Sequence, residues 1–340
     1  MKYSIVWICF IAFYLLSPDA YSQVGADYTY QFLNLPSSPR QAALGGKNYA
    51  FTEQVSQAFW NPAVINETMD NQLDLNFSKA YGVANYGSLG YSKTFRSKRN
   101  LFVGVNFINY GDMEGYDEFG SYTGSFKGNE VALTLGSSYQ IEQSDWYVGA
   151  NVKFVFSSME SYQSIGAAID LGVLYKDEIG QWDFGLTVRN LGAQLQTYAD
   201  YREKLPLDVA ISLSKELENV PLRWHITIDN LQQWDLSFSN PNRGTTSIDE
   251  EFKEEKVGFF NNALRHFIVG VELFPRKKFQ LRLGYNFRKG EELRIVDNRH
   301  FAGITAGVGL QLKRFKFDYS YARQTSAANT SMFGVRIDMN

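Results

Sequence analysis

From about residue 71 to the end of the chain, apolar residues take every second position in run after run, with small, polar or charged residues between them. The longest runs are Val148, Ala150, Val152, Phe154, Phe156 and Ile165, Ala167, Ile169, Leu171, Val173, Tyr175. The pattern recurs about fourteen times, and a period of two is that of a β-strand with two unlike faces. The apolar face carries almost no charge, Lys93 being the main exception. The other face carries Asp74, Glu130, Lys153, Asp170, Asp208, Glu272, Arg282, Asp318 and Arg336, interleaved with Gly149, Gly172, Gly185, Gly284 and Gly307. A soluble sandwich turns its polar face to water. Charges alternating with glycines suit instead an inner wall against which more chain packs. Trp146, Trp182 and Phe279 end the apolar faces, where the aromatic girdle of a membrane barrel sits.

The links between runs sort by length. Alternate ones are short and charged: 96–100, 142–145, 176–180, 218–221, 275–278 and 313–314. The others, at about 110–127, 190–205, 229–264, 288–300 and 323–331, are longer, with two of moderate length at 78–84 and 157–163. Short periplasmic turns alternating with long outer loops are the mark of an outer-membrane barrel. The expected fold is therefore all-β: a transmembrane, multi-pass barrel of about fourteen antiparallel strands over residues 71–340, with both chain ends in the periplasm.

Composition agrees. Aromatics make up 16% of the chain, and its mean hydropathy of −0.28 suits a wall that is apolar on only half its positions. A net charge of −3 argues against a broad basic surface, so no nucleic-acid partner is expected. Residues 1–22 read as a signal peptide: Lys2, an apolar run from Ile5 to Leu16 too short to span a bilayer, and Ala20-Tyr21-Ser22 before a cleavage point at Gln23. The sole cysteine, Cys9, lies in that leader, so the exported chain has no disulfide and no thiolate ligand.

Fourteen strands enclose more space than their own side chains fill. Residues 23–70 are the candidate plug, and they include the turn-ridden stretch QFLNLPSSPRQAALGG, residues 31–46. Phe32, Leu33, Leu35, Arg40, Trp60, Asn61 and Pro62 are its candidate plug residues, with a short helical stretch around Glu53–Phe59. Pro36 and Pro39 read as helix breakers. Arg40 is expected to pair with a luminal carboxylate such as Asp170 or Asp208.

The segment Phe32–Gly46, followed by AFWNPA at 58–63, resembles the start of the PorQ proteins of the type IX secretion system, relatives of PorV and FadL-type barrels. Residues 85–95 and 264–273 also look like PorQ segments, so the resemblance covers most of the exported chain. The chain departs from many outer-membrane barrels in ending Met339-Asn340 rather than in an aromatic residue. The resemblance implies a non-enzymatic scaffold or anchor in type IX secretion and cell-surface attachment of cargo in Bacteroidetes. Its implied partners are sortase-like, PorV-like and PorZ-like proteins, together with outer-membrane lipid. The alternative is a FadL-like transport channel for hydrophobic small molecules.

Catalytic and metal chemistry are weakly represented. His225, His266 and His300 belong to no nucleophile elbow, zinc-protease motif or phosphate loop. The acidic stretch GDMEGYDEFG at 111–120 lacks the ligand spacing of a calcium loop. No enzyme activity, cofactor or metal is expected. The long link at 229–264 combines Trp234, Phe238, Phe252, Phe259 and Phe260 with an acidic run. Such length is usually functional or disordered, and these aromatics form the candidate docking loop for a partner, with a lid over the barrel as the other functional reading.

Overall fold

The computed structural model describes residues 28–79, 84–95, 99–236, 258–293, 302–323 and 329–339. The leader lies outside these residues. Fourteen strands form among them: β1 Gln72–Lys79, β2 Asn85–Thr94, β3 Arg99–Tyr116, β4 Tyr122–Gln140, β5 Trp146–Met159, β6 Tyr162–Asp177 and β7 Trp182–Gln196. They continue as β8 Asp208–Glu216, β9 Leu222–Ile228, β10 Phe267–Leu273, β11 Phe279–Asn286, β12 Ile304–Leu312, β13 Phe315–Arg323 and β14 Asn329–Asp338. Each pairs antiparallel with its sequence neighbours, and β1 pairs with β14 to close the barrel, Gln72 opposite Asp338 and Lys79 opposite Ser331.

The alternation in the sequence settles which face is which. Leu75, Phe77, Val152, Phe154, Leu283, Phe317 and Phe333 are exposed on the outside, whereas Asp74, Asn151, Lys153, Asp170 and Arg282 are buried on the inside. Trp182 and Trp224 meet edge to face at 5.7 Å near the short-link end, with the Lys215 ammonium 4.2 Å from the Trp182 ring centre. That arrangement fixes one membrane interface.

The wall is uneven in height. β3 and β4 run 18 and 19 residues, β9 and β10 only 7 each. The expected loop at 110–127 is mostly strand, and a turn at 117–121 replaces it, with Asp117 Oδ1 accepting from the amides of Phe119 and Ser121 at 2.9 and 2.8 Å. The expected link at 157–163 shrinks to a two-residue turn between Met159 and Tyr162. Link length therefore does not alternate strictly. Antiparallel pairing simply continues past the bilayer wherever both partners can extend.

Residues 28–70 lie against the inner face. Tyr28 bridges to Lys204, and the Thr29 amide donates to the Lys204 carbonyl at 2.9 Å, so the described chain begins near the outer link between β7 and β8. It descends through a turn at Gln31–Asn34 and a helix at Pro39–Ala43 to Glu53 and Thr68 at the short-link end, then enters β1. Pro39 does not break a helix here. It opens one, because Ser38 caps the helix by accepting from the Gln41 amide at 3.3 Å, and the first turn needs no proline N–H. The stretch expected to be helical is a 3₁₀ helix at Val55–Phe59.

The inner glycines are seats for this segment. A Cβ at Gly172 would overlap Asn61 Oδ1, and one at Gly149 would meet the Pro62 backbone. Gly172→Val is expected to displace the Asn61-Pro62 turn and destabilise the protein by about 1–3 kcal/mol, the usual cost of overpacking. Chemical unfolding in detergent measures it, with the lipid-facing Leu171→Val as a near-neutral comparison.

Candidate functional site

The lumen is where the chemically distinctive residues converge, in a layered arrangement. Nearest the short-link end is an ionic layer. The Arg40 guanidinium pairs with Glu272 at 2.6 Å and Glu53 at 2.8 Å. Arg282 bridges Glu272 at 2.7 Å and Asp318 at 2.6 Å, and Arg223 reaches Glu53 and Glu216 at 2.6 Å each. Arg336 donates to the Glu53 carbonyl at 2.6 Å. Arg40 thus does not pair with Asp170 or Asp208. Those two carboxylates have nearer cations: Lys153 holds Asp170 at 2.7 Å, and Lys47 holds both Asp208 at 3.0 Å and Asp229 at 2.6 Å.

The middle layer is built around Trp60. Its ring is covered by the Arg189 guanidinium at 3.8 Å and met edge-on by Tyr49 at 5.8 Å, while its Nε1 donates to Ser37 Oγ at 2.8 Å. Asn61 caps the turn at Pro62–Val64 by accepting from the Ala63 amide at 2.9 Å, and its amide donates to the Tyr49 carbonyl at 2.7 Å. Arg189 also donates to the Leu33 carbonyl at 2.8 Å. Tyr49 closes the layer by donating to Asp208 at 2.7 Å.

Above it lies an apolar layer. Phe32 and Leu33 are buried with Tyr30, Tyr86, Ile108, Val155 and Met332, and Leu35 packs on their edge. All seven expected luminal residues thus line one continuous segment. The sequence places Arg189 and Asp229 on the inner face and Glu53 at the start of the short helical stretch, without assigning them partners, and it does not single out Lys47 or Tyr49. A lysine inside an otherwise apolar, turn-rich stretch was the available signal for Lys47, because a buried ammonium needs a carboxylate.

A cavity of about 600 Å³ opens at the short-link end, between Glu53, Thr52 and Thr68 of the luminal segment and Arg223, Lys316 and Arg336 of the wall. Its lining is charged on both sides. Enclosure there would raise the Glu53 carboxyl, but Arg223 and Arg40 outweigh it and hold the group well below the ordinary carboxylate range.

The remaining expected residues lie elsewhere. His225 is buried with Nε2 3.0 Å from the Leu44 carbonyl oxygen. His266 caps the helix Phe259–Arg265, its ring nitrogens 2.7 and 3.1 Å from the carbonyl oxygens of Asp229 and Trp234. Trp234, Phe259 and Phe260 form one exposed aromatic cluster at the outer rim, with Trp234 and Phe259 5.0 Å apart. Phe238, Phe252 and His300 lie outside the described residues. In the acidic stretch, Asp112 pairs with Lys127 at 3.4 Å, both exposed, and among the described residues no group of three or more His, Cys, Asp and Glu is placed to hold a metal.

This architecture defines a class: a closed, fourteen-stranded outer-membrane barrel of FadL-like fold. A monoaromatic hydrocarbon channel, the TodX deltaS2 mutant, matches with a TM-score of 0.58 and 12% identity, covering 88% of this chain and 96% of that one. The Pseudomonas putida toluene transporter TodX matches with a TM-score of 0.55 and 14% identity over 89% and 96%. The Ralstonia pickettii toluene transporter TbuX gives a TM-score of 0.52 and 13% identity over 89% and 97%. At these identities the likeness is one of fold. No family model matches the chain, and no curated protein matches it in sequence.

Arg40→Ala leaves Glu272 buried beside one fewer cation, and breaking a buried pair costs about 3–5 kcal/mol. The expected result is earlier loss of the luminal segment on heating in detergent, read as protease cleavage within residues 28–70 while the strands stay intact. Glu53 adds a pH dependence. Its folded value is depressed, so its contribution is whole above the free-carboxyl value of 4.5 and declines only as pH falls below it. The protection from protease that Glu53 supplies, read as the difference between the unaltered chain and Glu53→Gln, should therefore be constant from neutral pH down to that value and shrink in stronger acid.

Proposed function

We propose that this chain is a non-enzymatic scaffold or anchor in the outer membrane, serving type IX secretion and the surface attachment of cargo. The observation that carries the reading is the occupied lumen. Residues 28–70 reach from the outer link near Lys204 to the short-link end, and buried ion pairs fasten them to β8, β10 and the 229 turn. The wall beside them closes fully, with register shifts in β3–β4 and in β6–β7 at Ile165–Gly166 and Ile169–Leu171, and the cavity at its base is lined mostly by charged side chains. A barrel held shut in this way supports assembly better than passage. Membership of the secretion system rests on the resemblance of Phe32–Gly46 and AFWNPA to PorQ proteins.

A second reading is a channel for small hydrophobic molecules. The solved structures of similar fold are described as toluene and monoaromatic hydrocarbon channels, and the comparisons favour this reading over the first. The apolar layer of Phe32, Leu33, Ile108 and Met332 is the part of the lumen such a solute would meet.

Deletion of the gene separates the two. The scaffold reading expects cargo to be lost from the cell surface, and the tagged barrel to bring sortase-like, PorV-like or PorZ-like partners from crosslinked envelopes. Intact surface cargo with no copurifying partner overturns it. Saturable uptake of toluene or a fatty acid that vanishes on deletion supports the channel.

A further inference from the structure

The outer rim above β9 and β10 carries an exposed aromatic cluster, the described part of the candidate docking loop, on which neither reading of the lumen depends. Phe260 is 82% exposed, Phe259 65%, Trp234 53% and Leu264 49%. These side chains are rigidly presented. The Asn262 amide donates to the Trp234 carbonyl at 2.6 Å, its Oδ1 accepts from the Leu236 amide at 3.1 Å, and the His266 ring stacks on Trp234 at 5.5 Å. A solvated loop has no reason to lock large apolar side chains into view.

The height of the wall says what covers them. A strand of 7 residues such as β9 or β10 extends about 23 Å at 3.3 Å per residue. Tilted at about 40°, it rises roughly 18 Å, against an apolar band about 25 Å tall. The inner interface of this wall is already fixed by Trp182 and Trp224 with Lys215. The shortfall therefore lies at the outer end, immediately where Asp229 leaves β9 and His266 enters β10.

The helix Phe259–Arg265 lies at that end, between Asp229 and the start of β10. Asn262 and Arg265 form its buried side. It packs on a second helix, Phe287–Glu292, whose Arg288 pairs with Asp229 at 3.0 Å and whose preceding Asn286 amide donates to the Gly45 carbonyl at 3.3 Å. The buried side thus meets the Trp234–Leu236 backbone and the second helix. Phe260 and Leu264 stand four residues apart, on the opposite side of the helix from Asn262, and so lie on its exposed side.

We infer that Phe259, Phe260, Leu264 and Trp234 are a lipid-facing extension of the barrel, which completes the apolar belt over the short β9–β10 wall and seats in the outer-leaflet acyl chains. The partner of this surface is the membrane itself, and its continuity with the belt below is what selects lipid over a protein.

The chain's one cysteine, Cys9, makes the test direct. Nitroxide labels are placed at Phe260→Cys and Leu264→Cys in the full chain carrying Cys9→Ser, reconstituted in phosphatidylcholine vesicles. Leu283→Cys, on the exposed face of β11, serves as the belt reference, and Phe119→Cys, in the β3–β4 turn, as the water reference. Oxygen should relax both rim labels more strongly than a water-soluble nickel chelate does, as at Leu283→Cys. Dominant relaxation by the nickel chelate, as at Phe119→Cys, overturns the proposal and leaves the cluster free for a protein partner. Protection from both reagents also overturns it, because another part of this chain then covers the cluster. Trp234→Phe gives an independent readout without a label: it should remove part of the tryptophan emission quenched by lipids brominated on their acyl chains. Quenching unchanged by that substitution counts against the proposal.

Discussion

In a bilayer no water is available to satisfy a peptide group, so a strand-built protein has to close on itself. The β1–β14 seam does this, with eight residues of each strand in register from Gln72–Asp338 to Lys79–Ser331. Everything inside follows from that closure. A ring of fourteen strands is wider than one layer of inward side chains can fill, and many of those side chains are charged. A buried charge without a partner costs far more than the protein's margin of stability. The wall therefore needs a second body of chain that brings counter-charges, and residues 28–70 bring Arg40, Lys47 and Glu53 to Glu272, Asp208, Asp229 and Arg223.

Much of this was legible before any coordinates. The period of two, the charge-free outer face and the short links identify the barrel and assign residues such as Glu272, Arg282 and Asp318 to its inside. What the pattern does not encode is which inner charges meet. Arg40 was matched by type to Asp170 or Asp208, but choosing among luminal carboxylates needs the depth at which each strand position sits. Depth comes from barrel tilt and register, which a linear sequence does not display. Pro39 illustrates a different gap. Its helix-breaking character holds for helix interiors, whereas Ser38 and Gln41 make it a first-turn residue. The extended β3–β4 pair reads as a loop in sequence because its outer half is polar, and polarity signals water more directly than it signals loss of pairing.

Glycine carried more information than its count suggests. Gly149 and Gly172 recede so that the Asn61-Pro62 turn can approach β5 and β6, while Gly284 and Gly307 recede beneath Leu44, Gly45 and Ala43. The inner-face glycines and the NPA turn are two halves of one fit. Gly45 and Gly46 themselves adopt φ of +91° and +96°, where a side chain is strained, and so turn the segment beneath the outer helices. A glycine on the inward parity of a spanning strand is thus a pointer to contact with another segment.

The two sides of the barrel hold this segment by different physics, and that difference bears on whether the lumen can move. Against β8, β9 and β10 the contacts are ion pairs, Lys47 with Asp208, Glu53 with Arg223 and Arg40 with Glu272, and the last carboxylate is shared with Arg282 of β11, which also holds Asp318 of β13. Against β2 to β5 the outer part of the segment meets Tyr86, Ile108, Ala132 and Val155, a surface without directional demands. Sliding the ionic side breaks several buried pairs at once. Shifting Phe32 and Leu33 exchanges one set of apolar contacts for another and breaks the bond from Arg189 to the Leu33 carbonyl, but no ion pair. Any opening of this barrel therefore begins at its outer, apolar layer while the Arg40 layer stays closed. A scaffold needs neither step, whereas a channel needs both, and the second is the costly one.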